Sequence, residues 1–177
     1  MALHGYINTT HCMGWDNDAL NCVGIAQTDI DNGAAVVLGD ISLTDGFVDA
    51  YEFTVTPATA ASTGIYVAKT PESAGTDYNM LMNKDPRNFY NKAGRPISLM
   101  RMMPGVDCIE VTAEAFVAGS EPTTQPTYKY ATIGANGKYV VAQAAPGTGA
   151  YFAILGKHTV AFGQNVATTY VLRCERN

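Results

Sequence analysis

Alternating apolar and polar residues predict a series of short strands along this chain. In the segment 51–56, Tyr51, Phe53 and Val55 share one face of a predicted strand, and Pro57 ends it. Further strands of the same kind are predicted at residues 64–68, 96–103, 107–112, 128–133, 138–142, 150–155, 158–162 and 169–174.

The dipeptide Asn32-Gly33 stands between two apolar runs, Val23–Ile25 and Val36–Leu38. A type I′ turn needs a positive φ at both central residues, which asparagine and glycine adopt most readily, so we predict a β-hairpin here. An irregular loop is the competing interpretation. Because the second run is apolar at consecutive positions, we expect an inner strand buried on both faces.

Two short helices interrupt the predicted strands. Asp85 suits the N-cap of a helix over residues 85–94, Pro86 suits its first position, and Gly94 suits the residue after its end. Residues 113–116 are predicted to form one helical turn. The fold class expected is therefore mainly β, with short antiparallel strands in a sandwich-like or barrel-like arrangement.

Residues 1–22 are polar and without periodicity, which predicts an extended N-terminal arm. It is either a frayed terminus or a segment that orders on a partner, with Tyr6 and Trp15 as anchors. Trp15 could equally close one end of the core.

The composition of residues 119–127 is typical of a linker. This predicts a β-rich lobe over residues 23–118 and a small C-terminal β lobe over residues 128–177.

The composition of the chain argues against several classes of function. Of 177 residues, 47% are hydrophobic and only 15% charged, and the net charge is −5. A negative chain without a basic run is a poor partner for nucleic acid. No apolar stretch approaches the roughly 20 residues of a membrane helix. The first residues lack the features of a signal peptide, so we expect synthesis in the cytoplasm.

Neither of two sets of potential metal ligands fits a metal site, and no cofactor is predicted. One set has zinc-binding residue types without zinc-site spacing: His4, His11, Cys12 and Cys22. The other has oxygen ligands but lacks the glycine and glutamate positions of a calcium loop: Asp29, Asp31 and Asn32.

The chain carries no motif of a nucleophilic, metal-dependent or phosphate-binding enzyme. His158 falls in a predicted strand, where a structural imidazole is the expected role. Glu110 and Glu114 are the one pair of nearby carboxylates considered for acid and base roles, and no other motif supports them. The protein is therefore predicted not to be an enzyme.

Several segments together resemble a known family. They are Asp31–Gly33 with Val36–Gly39, Pro57 followed by Gly64–Ala68 and Pro71-Glu72, Phe89–Pro96 leading into Gly105–Thr112, Gly137-Lys138, and Gly156–Gly163. In this order they resemble small structural proteins that decorate or cement the capsids of tailed phages. The resemblance spans most of residues 29–177 and consists of turns and apolar strands.

This resemblance implies a virion protein on the capsid surface that binds the major capsid protein, with self-association on the lattice and a trimer as one arrangement. Tyr6 and Trp15 would be its contact residues. The alternative is a β-rich fibre or glycan-binding module, which would present exposed tyrosines among Tyr128, Tyr130, Tyr139 and Tyr151.

Overall fold

The computed structural model describes residues 3–15, 17–41, 53–72, 85–122 and 129–177. Within these ranges the strands are β1 (Ile7–His11), β2 (Asn21–Ala26), β3 (Ala35–Ile41), β4 (Phe53–Pro57), β5 (Tyr66–Ala68), β6 (Pro96–Arg101), β7 (Cys108–Thr112), β8 (Tyr130–Ile133), β9 (Tyr139–Ala142), β10 (Tyr151–Phe162) and β11 (Asn165–Arg176). Single 3₁₀ turns lie at Met13–Trp15, Asp18–Leu20, Pro86–Asn88, Ala113–Ala115 and Ala135–Gly137.

The predicted mainly β fold is confirmed. One sheet has six antiparallel strands in the order β1-β7-β11-β10-β8-β9. The other five strands close into a barrel in the order β2-β4-β3-β5-β6. One barrel pair, β2 with β4, is parallel, and β10 and β11 are 12 residues long, so these strands depart from the short antiparallel pattern.

Strand β3 separates two hydrophobic clusters. Val36 and Leu38 point into the barrel interior, where all five barrel strands contribute side chains. Ala35 and Val37 point the other way, into a cluster shared with the six-stranded sheet. The expected burial on both faces holds for Ala35 and Val36, because the barrel wall is covered there by the sheet. Val37 and Leu38 are half-buried, and residues 39–41 are exposed.

The six-stranded sheet does not follow the predicted division of the chain. It takes β1 from residues 1–22, β7 from residues 23–118 and the other four strands from residues 128–177. The predicted arm is thus partly a sheet strand: the side chains of Ile7 and Thr9 are 7% and 4% exposed. Residues 123–127 of the predicted linker lie outside the described residues.

The predicted hairpin at Asn32-Gly33 is wrong. The turn exists, with Ala34 N–H donating to Asp31 O at 3.2 Å, but β4 lies between β2 and β3 in the barrel. Only Gly33 has a positive φ, of 84°, which matches a type II turn and not type I′. The chain therefore leaves β2, crosses the barrel end and enters β3 two places away.

The predicted helix at residues 85–94 is shorter than expected. Its N-cap is confirmed, because Asp85 Oδ1 accepts from Arg87 N–H at 3.0 Å, but the helical turn ends at Asn88. Asn91 then pairs with Ile30 through two backbone hydrogen bonds of 2.8 and 2.9 Å. This bridge holds the chain extended and prevents the helix from continuing to Gly94.

The two strands predicted at residues 150–155 and 158–162 form one strand, β10. A bulge at Leu155, before Gly156, shifts the register against β11 without ending the pairing. Glycine inside a strand indicates a bulge as readily as a break, which explains the error.

The last residue ties the sheet to the barrel. The side chain of Asn177 pairs with both backbone groups of Ile65 and donates to Met102 O at 2.8 Å.

Candidate partner-binding surface

Tyr6 lies immediately before β1 and packs within its own molecule. Its N–H donates to Thr112 Oγ1 and its carbonyl accepts from Thr112 N–H, both at 3.2 Å. Its half-buried ring meets Phe162 edge to face, with centroids 4.9 Å apart. Burial, with Glu72 and Glu110 nearby, raises the pKa of the Tyr6 phenol, so the hydroxyl stays neutral.

Trp15, the other predicted contact residue, ends the 3₁₀ turn Met13–Trp15, and its side chain lies outside the described part of the structure. The preceding backbone is fixed, because Met13 N–H donates to the buried carboxylate of Asp107 at 2.7 Å. The structure therefore places Trp15 on an anchored segment and does not bring it into a described contact with Tyr6.

A groove of about 580 Å³ runs beside β1. One wall is formed by residues 6–10, and the other by residues 69–72 and Ser98. Most of the lining side chains carry hydroxyl, amide or charged groups, with the aromatic ring of Tyr6 among them. The larger part of the exposed groove surface is nevertheless apolar, so the groove suits a ligand that combines apolar surface with hydrogen-bonding groups.

Within the described ranges, the backbone of β1 has hydrogen-bonding groups without a recorded partner along this groove. Tyr6 and Asn8 occupy the positions that bond to β7, so the backbone groups of Ile7 and Thr9 point away from β7. Thr9 O accepts from Cys12 N–H at 3.1 Å. Among the described residues, no hydrogen bond occupies Ile7 N–H or C=O on the groove side. A strand edge beside a polar groove can accept an extended peptide segment.

Glu72 lies at one end of the groove. Burial raises the pKa of its carboxyl above the ordinary range, although Oε1 accepts from Asn32 Nδ2 at 3.0 Å. This carboxyl holds its proton to a higher pH than an exposed glutamate does, which reduces the negative charge of the groove under mildly acidic conditions.

Arg87 lies in a buried ion-pair cluster beside Phe162, the ring that Tyr6 also contacts. Its Nη2 and Nε contact the two carboxylate oxygens of Asp85 at 2.8 and 3.0 Å, and its Nη1 contacts Glu114 Oε1 at 3.0 Å. The guanidinium is also 5.7 Å from the centroid of the Phe162 ring. Because these partners occupy the guanidinium, Arg87 is structural and is not positioned to bind an external anion.

The carboxylate pair considered for catalysis has separate partners. Glu114 binds Arg87, while Glu110 accepts from Thr169 Oγ1 and lies 3.4 Å from His158 Nδ1. His158 is exposed at the surface, with 62% of its side chain accessible. Each carboxylate thus helps to join neighbouring segments of the fold.

Most of the potential metal ligands are engaged in contacts within the chain. His4 bonds to Asp31 at 2.8 Å and stacks on Tyr90, and Asp29 accepts from Ala93 N–H at 3.0 Å. Burial raises the pKa of the Cys12 thiol to about 12, and the thiol donates to Cys108 O. Within the described ranges, no group of three or more metal-binding side chains comes together.

Two features of this surface were not predicted from the sequence. The groove joins residues 6–10 to residues 69–72, which are distant in the chain, and no local pattern links them. The second is the outer edge of β10 beyond Leu155, which has no partner strand among the described residues. The break predicted at Gly156 concealed this edge.

Comparisons with protein-family models, with curated proteins and with solved structures gave no match for this chain. In the part of the chain that the structure describes, no helix is long and apolar enough to cross a membrane.

Proposed function

We propose that this protein is a non-enzymatic structural component of a tailed-phage virion. It binds the outside of the capsid and stabilises contacts between subunits of the major capsid protein. The resemblance over residues 29–177 supports this proposal, and so does the strand edge of β1 beside its groove. That edge is the single observation that carries the mode of binding.

In this mechanism an extended segment of the major capsid protein lies in the groove beside β1. The open backbone groups of Ile7 hydrogen-bond to it, and Tyr6 contacts its side chains. Main-chain pairing supplies affinity, whereas the groove walls supply selectivity. Each contact is modest, but many copies on one shell together oppose separation of the capsid subunits.

The first test is occupancy of the shell. Capsids assembled from the major capsid protein of the same genome are mixed with the purified chain and recovered by sedimentation. We expect recovery in a fixed ratio to the capsid protein and a higher temperature of capsid disruption. Absence of the chain from the recovered shells at saturating concentration would contradict the proposal.

The second test concerns the groove. Thr10 is exposed in the groove wall, so Thr10→Arg places a bulky cation in the path of the segment. We expect capsid binding to weaken by about tenfold or more. Thr63→Arg is the matched control, since Thr63 is also exposed but does not line the groove. Equal binding of the two variants would exclude the groove as the contact site.

One observation favours the alternative of a glycan-binding module. The half-buried rings of Tyr130 and Tyr151 meet edge to face with centroids 5.7 Å apart, and the Arg176 guanidinium lies 4.9 Å from the centroid of the Tyr151 ring. Tyr139 is fully buried and cannot serve as a platform, and Tyr128 lies outside the described residues. Binding to a glycan array that Tyr151→Ala abolishes, without affinity for capsids, would favour this alternative.

A further inference from the structure

Beyond its bulge, the outer edge of β10 has no partner strand among the described residues. Residues Tyr151–Ala153 pair with β8, and Ile154 N–H donates to Lys129 O at 2.8 Å. After Leu155, no described strand pairs with this side of β10, whose other side continues along β11 as far as Phe162.

The register shows which backbone groups the open edge presents. Phe162 pairs with Asn165 across the two-residue turn, and such a closing pair is hydrogen-bonded. By alternation, Lys157, Thr159 and Ala161 direct their N–H and C=O groups away from β11. The side chains of all three residues are exposed.

We propose that this edge pairs with the same edge of a second copy of the chain. The two β10 strands run antiparallel about a twofold axis at Thr159, which joins the two six-stranded sheets into one. This proposal does not depend on the proposed function, because it follows from the β10 edge alone.

The residues along the edge are self-complementary in this register. Thr159 of one copy lies opposite Thr159 of the other, and threonine pairs are favourable across strands. Lys157 lies opposite Ala161, and His158 lies opposite Val160. The two Lys157 side chains are then four residues apart along the strand, or about 13 Å, so their repulsion is weak.

Other axes fit less well. An axis at Lys157 would place the two ammonium groups directly opposite each other. It would also bring Ala161 of one copy against Ala153 of the other, a position already paired with Tyr130 of β8. An axis at Ala161 would run the partner past the turn and lose most of the pairing. The Thr159 axis uses all three open positions.

The expected dimer is weak and closed. Three paired positions on each strand bury less surface than a stable interface needs, so association should require a high protein concentration. Leu155, 50% exposed at the end of the edge, adds some apolar burial. The bulge and Lys157 are features that limit uncontrolled edge pairing, which favours a single twofold contact over a fibre.

The test uses the full chain and a pair of charge variants at Ala161. Ala161→Glu places a carboxylate opposite Lys157 in both symmetric pairs, whereas Ala161→Lys places an ammonium there. By sedimentation velocity over a concentration series, we expect the dimer to tighten by about fivefold with glutamate and to weaken by about fivefold with lysine.

A charge reversal tests the register. Lys157→Glu combined with Ala161→Lys should strengthen dimerisation to about the level of Ala161→Glu, because it reverses the same pair of opposite charges. Thr159→Pro removes the central N–H and should leave a monomer, whereas Thr159→Val keeps the N–H and should leave the dimer intact. Circular dichroism establishes that each variant is folded, and the charge variants keep the test decisive if the proline variant is not.

Two outcomes would overturn the proposal. One is a wild-type chain that stays monomeric across the series. The other is an oligomer, of any size, whose stability is the same with glutamate and lysine at position 161.

Discussion

The turns at Asn32-Gly33 and Asn136-Gly137 share a dipeptide and contact each other, but they use it differently. Asn136 and Gly137 both have positive φ, 56° and 69°, and close the hairpin between β8 and β9. In the first turn only Gly33 has a positive φ, and the side chain of Asn32 is buried. In one turn the asparagine is needed for its backbone conformation, and in the other for the hydrogen bonds of its side chain.

The contact between the turns joins the barrel to the sheet. Gly137 packs so closely on β3 that an added Cβ would lie 2.1 Å from Ala35 O. Beside it, Lys138 Nζ reaches Asp31 Oδ2 at 2.9 Å and Glu114 O at 2.9 Å. The comparison teaches that a turn dipeptide predicts a reversal of the chain, while its surroundings decide which strands the reversal connects.

The largest loss of stability is expected from Asn32→Ala. The Asn32 amide donates to Thr70 O at 2.7 Å and accepts from Thr70 N–H and Asn91 Nδ2 at 3.1 Å. Removing it leaves the half-buried backbone groups of Thr70 without these hydrogen bonds and Asn91 Nδ2 with Ile30 O alone, so the free energy of unfolding should fall by about 4 kcal/mol. Urea denaturation measures the change, and a loss below about 1 kcal/mol would show that water replaces the amide.

Gly137→Ala should cause the second-largest loss of stability. The new methyl group would collide with the backbone of Ala35, and the positive φ adds strain, so we expect a loss of about 3 kcal/mol. Gly94→Ala is the control, because Gly94 has a φ of 72° but no atom within 4 Å of its added Cβ. Its loss should be about 1 kcal/mol. Equal losses in the two variants would mean that disturbing the contact between Gly137 and β3 does not lower the stability.

Asn136→Ala tests the second turn, in which the backbone conformation of the asparagine matters. Asn136 is exposed, and alanine adopts its positive φ only at a cost. We therefore expect the free energy of unfolding, measured by urea denaturation, to fall by about 1 kcal/mol. Asn136→Gly should change stability by less than about 0.5 kcal/mol, since glycine adopts the same conformation. A glycine variant as unstable as the alanine variant would indicate an essential side-chain contact.

A loss of stability as small as that of Asn136→Ala is expected from the charge between the turns. Burial raises the pKa of Asp31, but hydrogen bonds from Lys138 and His4 outweigh it, and the pKa lies below the ordinary 3.8. A carboxyl with a lowered pKa stabilises the fold above its unfolded value and loses this effect as the pH falls through its folded value. Asp31→Asn should therefore cost about 1 kcal/mol at neutral pH, and the difference should shrink below pH 3.8. A difference independent of pH in urea denaturation would contradict this assignment.

Features that depend on neighbouring residues were predicted correctly. The apolar alternation in β7 and the cap at Asp85 were visible in the sequence, because strand periodicity and capping involve residues a few positions apart. The burial of the first residues of β3 on both faces was visible for the same reason.

Features that depend on partners distant in the sequence were not predicted correctly. The side chain of Asn32 bonds to residues about 40 and 60 positions later in the chain. The chain therefore crosses the end of the barrel at this turn and does not form the predicted hairpin. Ile7 gains its place in a sheet only because β7 is available to pair with it. The groove beside β1 needs both events, so its existence could not be predicted, although Tyr6 in its wall was singled out from the sequence.

The position of β11 in the middle of the six-stranded sheet has a consequence for synthesis. The barrel strands lie between residues 21 and 101, so the barrel can form while the ribosome is still translating the rest of the chain. The sheet cannot be completed until residues 165–176 emerge, because β11 separates β7 from β10. Until then the outer wall of the barrel, including Val67 and Met100, remains uncovered, and this interval is when the nascent protein is most prone to aggregate.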